Sequence, residues 1–221
     1  KNWTASSHWS GARRTSGWSR DTKPASGWWG RAVGGWPEDW VMEPPDIELL
    51  DEDLEPLRRF MVGDLEGLAD LDEDPENPRS KAVWFLFVSA FTIAVRWRFG
   101  ESYSRGAVIK FVADLRVSLG KDRDELDPKV AEEWIRSALG LLSNEEQLRV
   151  HEDLDASVDA TILILERLRD ENVVGDAGLD AFLEATMDYA RNMQEKLPSV
   201  WDEIRPWAEK HVPQGGGSAE A

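Results

Sequence analysis

The sequence predicts an all-α fold of five to seven helices. Three observations carry that reading. Apolar residues recur at spacings of three and four from about residue 46 to residue 212, the period of a helix with one buried face. Capping residues and stop glycines punctuate that pattern at helix-sized intervals. No stretch alternates apolar and polar residues cleanly between turn signals, as a half-buried strand would. The chain accordingly divides into an arm at 1–41, a compact helical domain at 46–212 and a flexible tail at 213–221.

The arm reads as disordered. Residues 1–41 hold seven of the twelve tryptophans but no Leu, Ile, Phe or Tyr, so little aliphatic surface is available to offset the entropy of ordering. One reading is a basic aromatic arm that stacks on single-stranded nucleic acid or lies at a membrane interface. The other is a translated stretch never selected for folding, with Met42-Glu43-Pro44-Pro45 as the native start.

The first helix is expected within 46–71, where Leu54, Leu57, Phe60, Met61, Leu65 and Leu68 are spaced for one face. Asp53 is placed to cap it, and Pro56 is tolerated in a first turn. An acidic loop follows at 70–78. It opens like a calcium-binding loop, with Asp70, Asp72 and Asp74, but the glycine required at the sixth position is Pro75 and the glutamate required at the twelfth is Lys81.

Ser80 then precedes the most apolar run, Ala82 to Val95. Its fourteen residues would span about 21 Å as a helix, short of a hydrocarbon core of about 30 Å. A buried central helix is therefore expected, with Ser89, Thr92 and Arg96 on a more polar stripe. The following unit is well punctuated. Ser104 can cap a helix over about 105–119, with Tyr103 stapled to Val108 and Gly120 as its stop. Asp127-Pro128 opens the next, with Ala131, Trp134, Ile135 and Ala138 facing inward and Gly140 at its end. Ser143-Asn144-Glu145-Glu146 forms a capping box for a helix over about 144–170. Asp176 caps another over 177–196, and Pro198-Ser199 is expected to separate it from a short last helix bent or interrupted near Pro206.

The net charge is −17 and uneven: residues 36–78 carry two basic and sixteen acidic side chains, residues 79–126 nine and five, and residues 127–221 nine and twenty-one. A strongly acidic body repels nucleic acid and anionic membrane and favours solubility or a basic partner. With no cysteine, thiolate zinc sites, disulfides and cysteine nucleophiles are excluded. Basic residues near the start have no apolar stretch behind them, so no signal peptide is read. A cytoplasmic location is the expectation.

Little in the sequence points to catalysis. HExxH, GxGxxG, the phosphate-binding GKS/T loop and GxSxG are absent. Of the three histidines, His8, His151 and His211, only His151 falls on a predicted helix, four residues from Asp155, where an oriented base is conceivable. The acidic pairs Glu132-Glu133, Glu145-Glu146 and Glu152-Asp153 are adjacent and point to different helix faces, and no Glu-x-x-His repeat exists to build a di-metal bundle. No catalytic residue, metal ligand or cofactor is assigned.

Arg96, Trp97, Arg98 and Phe99, followed by Tyr103, form the candidate partner-binding segment. The arginines are placed to stack on rings and to offset the dipole at a helix end, and Trp and Arg are favoured at interface hot spots.

Phe99-Gly100, Tyr103-Ser104, Val108-Ile109-x-Phe111-Val112-Ala113-x-Leu115-Arg116 and Asp127-Pro128-x-x-Ala131-Glu132-x-x-Ile135-Arg136-x-Ala138-Leu139-Gly140 resemble a pattern in small, uncharacterised all-helical proteins of high-GC actinobacteria. The resemblance covers about residues 95–140, mostly capping and core positions. It implies a cytoplasmic bacterial helical module and carries over no catalytic residue. The functional expectation is a non-enzymatic interaction or regulatory module with an acidic surface, binding a protein partner or itself. The alternative is a carboxylate-metal-dependent, hydrolase-type enzyme.

Overall fold

A computed structural model describes residues 47–64, 77–100, 103–142, 146, 154–175 and 178–211, with the backbone path alone at 154–155 and 197–211. The arm at 1–41, most of the acidic loop, the capping box at Ser143, His8, His151, Asp176 and the tail lie outside the described residues. Six α-helices are present among the described residues, with no strand: α1 (Glu55–Met61), α2 (Pro78–Phe99), α3 (Arg105–Leu119), α4 (Pro128–Ala138), α5 (Leu154–Asp170) and α6 (Gly178–His211). Two 3₁₀ turns, Asp51–Leu54 and Gly120–Glu125, precede α1 and follow α3.

α2 is the centre. It packs on α6, α5, α4 and α1, which is why it is apolar all round rather than on one stripe. Ala82, Val83, Leu86, Phe87, Ala90, Phe91, Ala94 and Val95 are buried along it. Ser89 and Thr92, expected on a polar stripe, are buried too; each hydroxyl donates back to a carbonyl four residues earlier, of Phe85 and Val88. Such back-bonding satisfies a hydroxyl without a partner from another helix. α2 also starts earlier than Ser80 suggests. Asn77 is the cap, its side chain accepting from the Arg79 N–H at 2.9 Å, and Pro78 takes the first position, where its missing N–H costs nothing.

That early start changes the membrane argument. At 22 residues, α2 is about 33 Å long, enough to cross a bilayer. It is the one described helix long and apolar enough to do so, and 67% of its most apolar stretch is buried inside the fold. Burial, rather than length, marks it as a core helix.

One hydrophobic core runs from Leu57 and Phe60 of α1 through α2, α3, α4 and α5 to Phe182 and Leu183 of α6. Phe60 meets Phe87 edge-on at 5.4 Å, and Phe91 stacks on Trp134 at 6.0 Å. Each fully buried Phe or Leu contributes about 2–3 kcal/mol through apolar burial. α6 runs antiparallel to α2: Trp97 meets Phe182, while Leu86 clusters with Met187 and Ala190.

The helix ends follow the sequence in several places. Ser104 caps α3 by accepting from the Ala107 N–H at 3.1 Å. Asp127 caps α4 by accepting from Lys129 and Val130. At the end of α4, Gly140 adopts φ +70°, and its N–H and that of Leu141 bond to the carbonyls of Ser137 and Arg136. The same paired closure ends α5, with Asn172 at φ +56° in the glycine's place. Asn tolerates this left-handed conformation better than most residues.

Two expectations are corrected. Asp53 does not cap α1. A 3₁₀ turn already begins at Asp51, so Asp53 lies inside it and its carboxylate reaches back to accept the Leu50 N–H at 2.9 Å. Nor do Pro198 and Ser199 separate two helices: α6 is a single helix of 34 residues through both Pro198 and Pro206. Proline has a helix-compatible φ, but in a helix interior it loses its own N–H bond and its ring crowds the carbonyl four residues earlier, a cost of about 3 kcal/mol; α6 runs on through both positions nonetheless.

Candidate functional site: the C-terminal corner of α2

The candidate segment occupies the last turn of α2 and the start of the connection to α3. Successive helix residues are rotated by about 100°, so four in a row cannot share a face. The structure shows the consequence. Arg96 turns toward α4 and α6: its Nε donates to the Ala138 carbonyl at 2.9 Å, and its guanidinium lies 5.0 Å from the centre of the Tyr189 ring. Ala138 is the last residue of α4, where carbonyls lack intrahelical donors and the helix dipole is negative, so a cation suits the position on both counts.

Trp97 turns toward α6 and meets the Phe182 ring edge-on at 5.5 Å, yet remains 42% exposed. Arg98 turns toward the end of α5. It donates to Glu171 Oε2 at 3.0 Å and sits 5.2 Å from the Phe99 ring centre. The other oxygen of Glu171 accepts from Arg167 at 3.0 Å. Phe99 points inward, 2% exposed, and meets Phe111 of α3 edge-on at 5.5 Å. Tyr103 stands 37% exposed, beside the Ser104 cap of α3.

The five residues of the segment therefore divide between two tasks. Arg96, Arg98 and Phe99 tie α2 to α4, α5, α6 and α3. Trp97 and Tyr103 present aromatic surface to solvent. The ring-stacking expected of the arginines is observed, and for Arg96 the ring is Tyr189 of α6, a partner 93 positions along the chain.

Further polar groups lie elsewhere; Arg169, Glu166 and Thr161 are ones that sequence reasoning did not single out. Arg169, near the end of α5, donates to the Phe60 carbonyl at 3.1 Å and to Glu166 at 3.3 Å, and its guanidinium sits 5.5 Å from the Phe60 ring centre. It closes the end of α1 much as Arg96 closes α4. Glu166 has its carboxyl pushed above the ordinary glutamate range by burial, with Asp170 adding to the shift and Arg169 opposing it. Asp53 is 2% exposed and faces Arg79 Nε at 3.8 Å. In the core, the Trp134 indole N–H donates to Thr161 Oγ1 at 2.7 Å, and that hydroxyl donates to the Ser157 carbonyl at 2.8 Å. The signal for this last chain, a Thr among the aliphatic residues of α5, was present in the sequence but had no partner assigned.

Among the described residues, no group of three His, Cys, Asp or Glu side chains converges in a way that would hold a metal ion. Acidic residues pair with arginines instead, among them Arg58, Arg59, Arg79, Arg98, Arg167, Arg169 and Arg191. No family model, curated protein or solved structure matches this chain.

Proposed function

We propose that this protein is a non-enzymatic interaction or regulatory module that engages a protein partner through the α2 corner. The observation that carries the reading is Trp97. It is a large aromatic side chain, half in solvent, held on the end of a helix whose neighbouring residues are each fastened to another helix. Pre-organised aromatic side chains bind with little loss of rotamer entropy, which is why Trp is enriched at the energetic centres of interfaces. The corner lies within residues 79–126, which carry nine basic and five acidic side chains in a chain whose net charge is −17; a net charge of that sign disfavours nucleic acid as the partner. The lack of cysteine fits a reducing, cytoplasmic setting.

The test is capture from native-host extract with the wild type and Trp97→Ala, at matched concentration and with melting temperatures compared. Loss of the captured protein in Trp97→Ala, with helicity retained, supports the reading. Recovery of the same proteins in the same amounts would make the corner purely structural. Arg96→Ala is the wrong probe, because it also releases the end of α4.

A further inference from the structure

We propose that the outer face of α3 docks an acidic amphipathic helix of a partner protein, an inference that rests on the interaction-module reading above and adds the chemistry of the partner. α3 is the edge helix. It packs on α4 and on the 3₁₀ turn that follows it, and it meets α2 through Phe111 and Phe99. Its inner face, Val108, Phe111, Val112 and Leu115, is buried. Its outer face carries Ile109 at 43% and Val117 at 80% exposure, with exposed Ala113 midway between them. These three residues are spaced by four, so they form one stripe about 12 Å long.

Charge selects the occupant. Residues 105–121 carry four basic side chains, Arg105, Lys110, Arg116 and Lys121, against Asp114 alone, in a chain whose net charge is −17. Arg105 and Lys121 have no ion pair among the described residues. Lys110 pairs with Asp114 within the helix, but both side chains are mostly exposed, at 75% and 53%. An exposed pair of this kind is worth less than about 1 kcal/mol, so Lys110 is available to a better partner. An apolar stripe flanked by cations is complementary to a helix with its own apolar stripe flanked by Asp and Glu. A second copy of this chain would set basic flank against basic flank. One helix laid on another buries less than the roughly 1,200 Å² of a stable interface, so the complex is weak, transient and salt-sensitive.

The experiment titrates the full chain with two fluorescent synthetic peptides of identical Leu spacing, one with Glu and one with Lys at the flanking positions. The Glu peptide is expected to bind and to weaken as salt is raised. Its affinity is expected to fall about ten-fold in I109S/V117S and in R105E/K110E. The melting temperature should hold in both variants, since these side chains are exposed. The proposal is overturned if the Lys peptide binds as tightly, if neither peptide binds, or if the variants leave the affinity unchanged. It is also overturned if sedimentation shows a wild-type dimer that I109S/V117S converts to monomer, which would give the face to a second copy. Capture lost in Trp97→Ala but kept in I109S/V117S would leave the corner standing and remove only this face.

Discussion

The Nε of Arg96 donates to the main-chain carbonyl of Ala138 at 2.9 Å, so the last turn of the central helix closes the last turn of α4, 42 positions along the chain. A residue placed by sequence in a partner-binding segment is thus also an internal fastener. Arg96→Met, which keeps the aliphatic stem and removes the donors, is expected to cost about 1–2 kcal/mol. Arg96→Lys recovers only part of this, because an ammonium cannot bond the carbonyl and stack on Tyr189 together. Urea unfolding of the three proteins measures both effects.

Thr161→Val tests the buried chain between α4 and α5. The substitution keeps the shape but removes the oxygen that accepts the Trp134 N–H bond. Thr161 is fully buried and Trp134 is 7% exposed, so the cost is expected at about 1–3 kcal/mol. Combining Thr161→Val with Trp134→Phe should cost less than the two singles added, which a double-mutant cycle reads directly.

Asp53 and Glu52 both face Arg79, yet they should behave differently on replacement. Asp53 is 2% exposed and accepts the Leu50 N–H, whereas Glu52 meets Arg79 at 3.3 Å on the surface. Asp53→Ala is expected to destabilise by about 1–3 kcal/mol and Glu52→Ala by less than about 0.5 kcal/mol. Thermal melts of the two variants separate these outcomes.

Glu166 gives a pH dependence of defined sign. Burial raises its folded-state pKa above the unfolded value, so between the two the folded chain binds more protons than the unfolded one. Stability from this group therefore decreases as pH rises through the raised pKa, and the relief is complete below the unfolded value. Glu166→Gln removes that dependence. The stability of the variant relative to wild type should be higher at neutral pH than at the lower end of the carboxylate range, as measured by urea unfolding at both.

The fold class and the α3–α4 unit were legible because their signals are local. Ser104, Asp127 and Gly140 act within four residues of themselves, and the inward positions of α4 follow from its period. The start of α2 was less legible, since Asn77-Pro78 and Ser80 are competing caps and only the geometry chooses. The run of α6 through Pro198 was not legible, because an interior proline loses a ladder bond and crowds the carbonyl four residues back, and no local pattern shows that the helix continues past it. The corner was legible as composition but not as geometry. That Arg96 meets Ala138 and Tyr189, Trp97 meets Phe182 and Arg98 meets Glu171 depends on how α4, α5 and α6 cross α2, and no local pattern encodes those crossings.

The central claim, that Trp97 faces a protein partner, is tested most directly by placing a photo-crosslinking amino acid at position 97 in the full chain and irradiating living cells of the native host. Val62, 67% exposed at the end of α1, serves as the control position. The account predicts a discrete crosslinked protein from position 97 and none from position 62. No crosslink at 97 above the level at 62 would contradict it.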